Sequence, residues 1–147
     1  MGKLLQTRLT VVKEDEYGKF TFDFELKNWY TVVSSTALKG KTLFYNLYMS
    51  KCISEKRQDT VFINYTDLVD TDTLWHKLKR KNCLIIIDNA DTVLNDDMIS
   101  SILKNKTNQY LIFGNDPIRF CISSDNSARL VKLDDQTIGL EYSKHEI

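Results

Sequence analysis

The chain has 147 residues, and its 20 Lys and Arg are balanced by 20 Asp and Glu, so the formal net charge is zero. That balance excludes a generally basic protein that coats nucleic acid. With 42% hydrophobic and 27% charged residues, the composition is that of a globular chain, and the length fits a single domain over 1–147.

Three cysteines, Cys52, Cys83 and Cys121, form no CxxC pair, and His76 and His145 are the only histidines. Neither a disulfide framework nor a zinc site is indicated, and the expected setting is a reducing cytoplasm. No apolar run approaches the ~20 residues that span a bilayer. The opening Met1-Gly2-Lys3-Leu4 does not read as a signal peptide, and Gln6 stands where a myristoylation motif wants Ser or Thr. No membrane association is expected.

Lys3–Val12 and Lys19–Leu26 read as two strands around the polar turn Glu14–Gly18. In the second, Phe20, Phe22, Phe24 and Leu26 alternate with polar residues, so this N-terminal hairpin (about 3–26) has one buried face. Trp29–Ser34 is a short β-branched run, and Lys41–Ser54 follows with Leu43, Phe44, Leu47 and Tyr48 at helical spacing. Val61–Tyr65 is strand-like. Asp72–Lys81 is a helix with Leu74, Trp75 and Leu78 on one face and Asp70 or Thr71 as its cap. Cys83–Ile87 reads as a strand buried on both faces, Asp96–Lys104 as a helix, and Tyr110–Phe113 as another buried strand. Ala128–Leu133 and Thr137–Tyr142 suggest a closing hairpin (about 128–142). Strands alternating with helices between about 29 and 117 predict an α/β fold: a mostly parallel sheet flanked by helices, with β-hairpins at both ends.

The chemistry is concentrated in Ser35-Thr36-Ala37-Leu38-Lys39-Gly40-Lys41-Thr42. It matches the phosphate-loop pattern GxxxxGK[ST] except at its first position, where Ser35 replaces Gly. Such a loop wraps phosphate with backbone N–H groups, and the helix behind it points its positive end at the anion. Gly40 permits close approach of the backbone, Lys41 reaches the β- and γ-phosphates, and the Thr42 hydroxyl serves Mg²⁺. The setting, between a strand and an amphipathic helix, is the one this motif requires.

Two further strands end in polar residues. Leu84–Ile87 runs into Asp88-Asn89-Ala90-Asp91, which places a carboxylate for Mg²⁺ at a sheet edge. Tyr110–Phe113 runs into Gly114-Asn115.

The order of these three elements resembles P-loop ATPases of the additional-strand division, especially AAA+-like ATPases, over about 29–117. The resemblance implies ATP and Mg²⁺ as ligands, with Ser35–Thr42 on the phosphates, Thr42 and Asp88 on the ion, and Asn115 as γ-phosphate sensor. It also implies that the sensor strand lies between the phosphate-loop strand and the Asp88 strand. Two departures stand out. Asn89 occupies the place of the glutamate that polarises the attacking water; it can orient water but cannot take its proton. The helical lid of AAA+ proteins has no counterpart, since the tail reads β. Arg119 and Arg129 are candidates for an arginine finger or for ordinary surface residues.

Two functions fit these residues. One is a protein that binds ATP–Mg²⁺, as a slow ATPase or nucleotide switch. The other is a phosphate-loop domain without catalysis, whose hairpins meet a protein partner or a second copy. Asn105-Lys106-Thr107-Asn108 loosely echoes a guanine-reading motif but lacks its Asp. The basic run His76–Lys81 reads as a solvated helix face, so nucleic acid is not the expected partner.

Overall fold

The computed structural model describes residues 8–34, 40–115 and 124–143. In chain order the strands are β1 (Arg8–Asp15), β2 (Gly18–Glu25), β3 (Tyr30–Val33), β4 (Thr60–Ile63), β5 (Leu84–Ile87), β6 (Gln109–Phe113), β7 (Ser127–Asp134) and β8 (Thr137–Tyr142). The helices are α1 (Lys41–Ser54), α2 (Thr71–Leu78), α3 (Ala90–Val93) and α4 (Asp96–Lys104), with short 3-10 turns at Tyr65–Val69 and Ser124–Asn126.

All eight strands belong to one sheet, in the order β1-β2-β8-β7-β3-β6-β5-β4. The expected fold class, a mostly parallel sheet flanked by helices with hairpins set beside it, is corrected by this arrangement. The sheet is mixed, and the two antiparallel hairpins β1–β2 and β7–β8 supply half its strands. Short parallel ladders splice them in: Thr21 and Phe22 pair with Thr137 and Ile138, and Val32 and Val33 with Ser127 and Ala128. The Tyr142 hydroxyl on β8 reinforces the splice, donating to Glu25 O at 2.7 Å and lying 3.3 Å from Thr31 Oγ1 of β3.

The physical cause is the apolar face of β2. Phe22 and Phe24 are fully buried, and Phe24 stacks on Phe44 of α1 with ring centroids 4.1 Å apart. A hairpin standing apart would leave those rings in water. α1 also touches both ends of the sheet: Lys51 Nζ donates to Thr10 O of β1 at 2.7 Å, and Tyr45 meets Phe62 of β4 edge-on at 5.5 Å. The sheet is accordingly curled into a half-barrel around that helix.

The two faces carry separate cores. Phe22, Phe24, Val33, Ile86, Leu111 and Phe113 pack with Phe44, Tyr45 and Tyr48 of α1. On the other face, Val32, Ile63, Ile85, Ile87 and Ile112 pack with Leu74, Ile99 and Ile102 from α2 and α4. β5 and β6 are buried on both faces, which explains the continuous apolar runs Leu84–Ile87 and Tyr110–Phe113. α2 is capped by the Asp70 carboxylate, which accepts from the amides of Asp72 and Thr73, and it ends three residues earlier than its sequence suggests, at Leu78. Among the described residues, no helix is long and apolar enough to cross a membrane.

Candidate functional site

β3, β6 and β5 run parallel, with β6 in the middle. Their register pairs Val33 with Phe113 and Ile87 with Ile112, so the three strands finish at one edge of the sheet. Residues that follow them emerge there together: Gly40–Thr42 at the start of α1, Asp88 after β5, and Asn115 after β6. This is the carboxyl edge of the three parallel strands, beside β3, which has β6 on one side and β7 on the other.

Two hydrogen bonds link these segments. Thr42 Oγ1 donates to Asp88 Oδ2 at 2.8 Å, and Lys41 Nζ donates to Asn115 Oδ1 at 2.9 Å. Asp88 is buried, only 4% exposed, and its backbone amide is fixed by Ile63 O of β4. Partial burial pulls the Lys41 ammonium below the usual lysine range, while the charges of Asp88 and Asp91 act in the opposite sense.

Gly40 has φ 145°, a backbone that L side chains rarely adopt. A Cβ there would meet Phe22 at an ordinary 3.6 Å, so backbone conformation, not space, demands glycine. α1 has neither a side-chain cap nor an acidic residue in its first turn. In contrast, α2 and α4 are capped by Asp70 and Asn95 and begin with Asp72 and with Asp96 and Asp97. The start of α1 thus keeps its positive end clear of carboxylates of its own.

Asn89 sits in the left-handed region at φ 52°, ψ 45° and makes no side-chain cap for α3. Asn is among the few residues tolerated there, so local backbone geometry accounts for its presence in that position.

Asp91, to which the sequence reading gave no role, joins this edge through Asn115. Its Oδ2 accepts the Asn115 backbone N–H at 2.6 Å. Gly114 makes room for this: a Cβ on it would lie 3.1 Å from Asp91 Oδ1. The signal in the sequence was the glycine immediately before Asn115.

Of the other candidates, Ser35, Thr36, Ala37, Leu38, Lys39 and Arg119 lie outside the described residues. Arg129 pairs with Glu141 across β7 and β8, its Nε donating at 2.9 Å, and so serves the hairpin. Asn108 is buried at the opposite edge, where its Oδ1 accepts from Cys83 N and its Nδ2 donates to Arg80 O; it is a structural bracket, not a base reader. In the basic run 76–81, Lys77 Nζ donates to Asp67 and Phe62 O and Arg80 to Gln58 O, while His76, Lys79, Arg80 and Lys81 are exposed. Cys52 and Cys83 are buried.

No protein-family model, curated protein or solved structure matches the chain.

Proposed function

We propose that the chain binds ATP with Mg²⁺ at the edge formed by Gly40, Lys41, Thr42, Asp88 and Asn115, as a nucleotide switch with slow or no turnover. One observation carries this reading. Lys41 and Thr42, adjacent at the start of one helix, each hydrogen-bond to the polar residue ending a different strand, across 74 and 46 residues of chain. Both long-range contacts join residues that phosphate and Mg²⁺ chemistry would bring together. The placement of β6 between β3 and β5 adds support, since it is the order the ATPase resemblance implies.

The donor set fits the ion. Among the described residues, no cluster of three or more His, Cys, Asp or Glu could hold a metal by itself. Mg²⁺ asks for less: it retains waters and shares substrate phosphates, using one or two protein oxygens. The Thr42 hydroxyl and Asp88 carboxylate, 2.8 Å apart, supply that pair. When bound, the ion would neutralise charge on the phosphate oxygens. Lys41 would exchange Asn115 for a phosphate oxygen, and the released Asn115 amide could then donate to the γ-phosphate. Asn89 can hold a water but cannot accept its proton, which favours binding over hydrolysis.

That same residue motivates the second reading, a phosphate-loop domain without catalysis that acts through protein contacts. Titration with ATP and Mg²⁺ in a calorimeter separates the two. Binding that weakens by about tenfold or more in Lys41→Ala, as loss of a charge-assisted hydrogen bond requires, supports nucleotide binding. Absence of heat at about millimolar ATP, a free energy near 4 kcal/mol, would refute it.

A further inference from the structure

We infer that Asp91 is a positioning residue for Asn115, and that through it the site distinguishes a nucleoside triphosphate from a diphosphate. The inference rests on the nucleotide-binding reading above.

Asn115 lies just past the end of β6, where the ladder stops: Gly114 N still donates to Val33 O at 3.1 Å, but the next residue has left the sheet. Without another restraint its backbone, and the side chain it carries, would swing by rotation about one residue. The Asp91 carboxylate supplies that restraint through its 2.6 Å bond to the Asn115 amide, a charge-assisted contact of the stronger kind. The other Asn115 group with an observed contact is Oδ1, which receives Lys41 Nζ. One residue is therefore held by its backbone from α3 and reaches with its side chain to the phosphate-binding lysine.

The support under Asp91 is firm. Thr92 N and Val93 N donate to Asn89 O, Leu94 N donates to Ala90 O, and Ala90 and Val93 are buried. Gly114 completes the device, because a Cβ there would lie a tight 3.1 Å from Asp91 Oδ1. A hydrogen bond aimed at the γ-phosphate alone separates ATP from ADP only if its donor is held in register. Loosening Asn115 would therefore cost ATP affinity and leave ADP affinity in place.

The test compares the wild-type chain with Asp91→Ala, Asp91→Asn and Gly114→Ala. Dissociation constants for Mg²⁺–ATP and Mg²⁺–ADP are measured on each, together with amide hydrogen exchange at Asn115 without nucleotide. Asp91→Ala and Gly114→Ala should reduce the preference for ATP by about tenfold, with ADP affinity held within about twofold. Asp91→Asn keeps an acceptor oxygen and should restore most of the preference. Exchange at Asn115 should accelerate in the two alanine variants.

Unchanged exchange in Asp91→Ala would show that the tether does not hold Asn115 and would overturn the inference. So would faster exchange with an unaltered ATP preference, or an equal loss of ATP and ADP affinity, which mark a purely structural contact. A wild-type chain that binds neither nucleotide would refute the functional reading and the role of Asp91 with it, while the exchange data would still report on the tether itself.

Discussion

Replacing Thr42 by valine tests the contact on which the proposed site depends. Valine keeps the β-branched shape, so helix α1 is disturbed little, but it removes the hydroxyl that donates to Asp88 Oδ2 at 2.8 Å. Asp88 is 4% exposed, so its carboxylate cannot recover a full water shell. A hydrogen bond to a charged group contributes about 1.5–3 kcal/mol, and leaving a buried acceptor without its donor costs a similar amount. Thr42 itself is exposed, which lets water compete for its hydroxyl and selects the lower end, about 1.5 kcal/mol. In a chain of this length that corresponds to a fall of roughly 4–6 °C in melting temperature. Thr42→Ser retains the donor and should lie within about 0.5 kcal/mol of the wild type. Urea denaturation followed by circular dichroism measures both, and an ATP titration with and without Mg²⁺ adds the functional arm: Thr42→Val should lose the Mg²⁺ dependence that Thr42→Ser keeps. If Thr42→Val proves as stable as the wild type and binds ATP with unchanged Mg²⁺ dependence, the pairing of Thr42 with Asp88 is not a metal-ready oxygen pair.

Lys41→Met should weaken ATP binding by about tenfold or more yet melt no lower than the wild type at neutral pH, because burial penalises the charged lysine. With a folded-state pKa below that of the unfolded chain, Lys41 binds more proton when unfolded, so the wild type gains stability as pH rises through that window toward about 10.5. Urea midpoints across this alkaline range should show the gain in the wild type and not in Lys41→Met. Asn89→Glu should cost about 1 kcal/mol from its left-handed backbone, whereas Asn89→Gly should be at least as stable as the wild type; thermal melts compare them. Phe44→Ala should lose about 3–5 kcal/mol in a single cooperative transition, because Phe44 is fully buried against Phe22 and Phe24 of the N-terminal hairpin as well as Phe113 of β6. Two separate transitions would show that the hairpin and the remaining sheet fold independently.

The elements of this protein were largely legible from local patterns. Lys41–Ser54 appears as α1 with the bounds its helical spacing suggested, and the continuous apolar run before Asp88 appears as the doubly buried β5. The candidate site residues Gly40, Lys41, Thr42, Asp88 and Asn115 were also visible, because their residue types stand at strand ends and at a helix start. Asp91 was not, since its contact with Asn115 joins residues 24 apart on different elements, and no sequence periodicity connects the two. Tyr65, read as the last residue of the strand Val61–Tyr65, instead opens a 3-10 turn, because Asn64 and Asp67 exchange side-chain and backbone hydrogen bonds in a capping box.

What the sequence determined by itself was the set of pieces: alternation buried one face of β2, apolar runs defined β5 and β6, and Gly40 set the turn into helix α1. Those are short-range properties, set by the 2.0 and 3.6 residue periods and by which residues tolerate a given backbone. Only the tertiary structure decided how the pieces join. The splice between β2 and β8 rests on two residue pairs whose partners lie 116 residues apart, and the splice between β3 and β7 on two pairs 95 apart. Ladders so short carry almost no local pattern, and it was the need to bury Phe22 and Phe24 against α1 that made the hairpins part of one mixed, curled sheet.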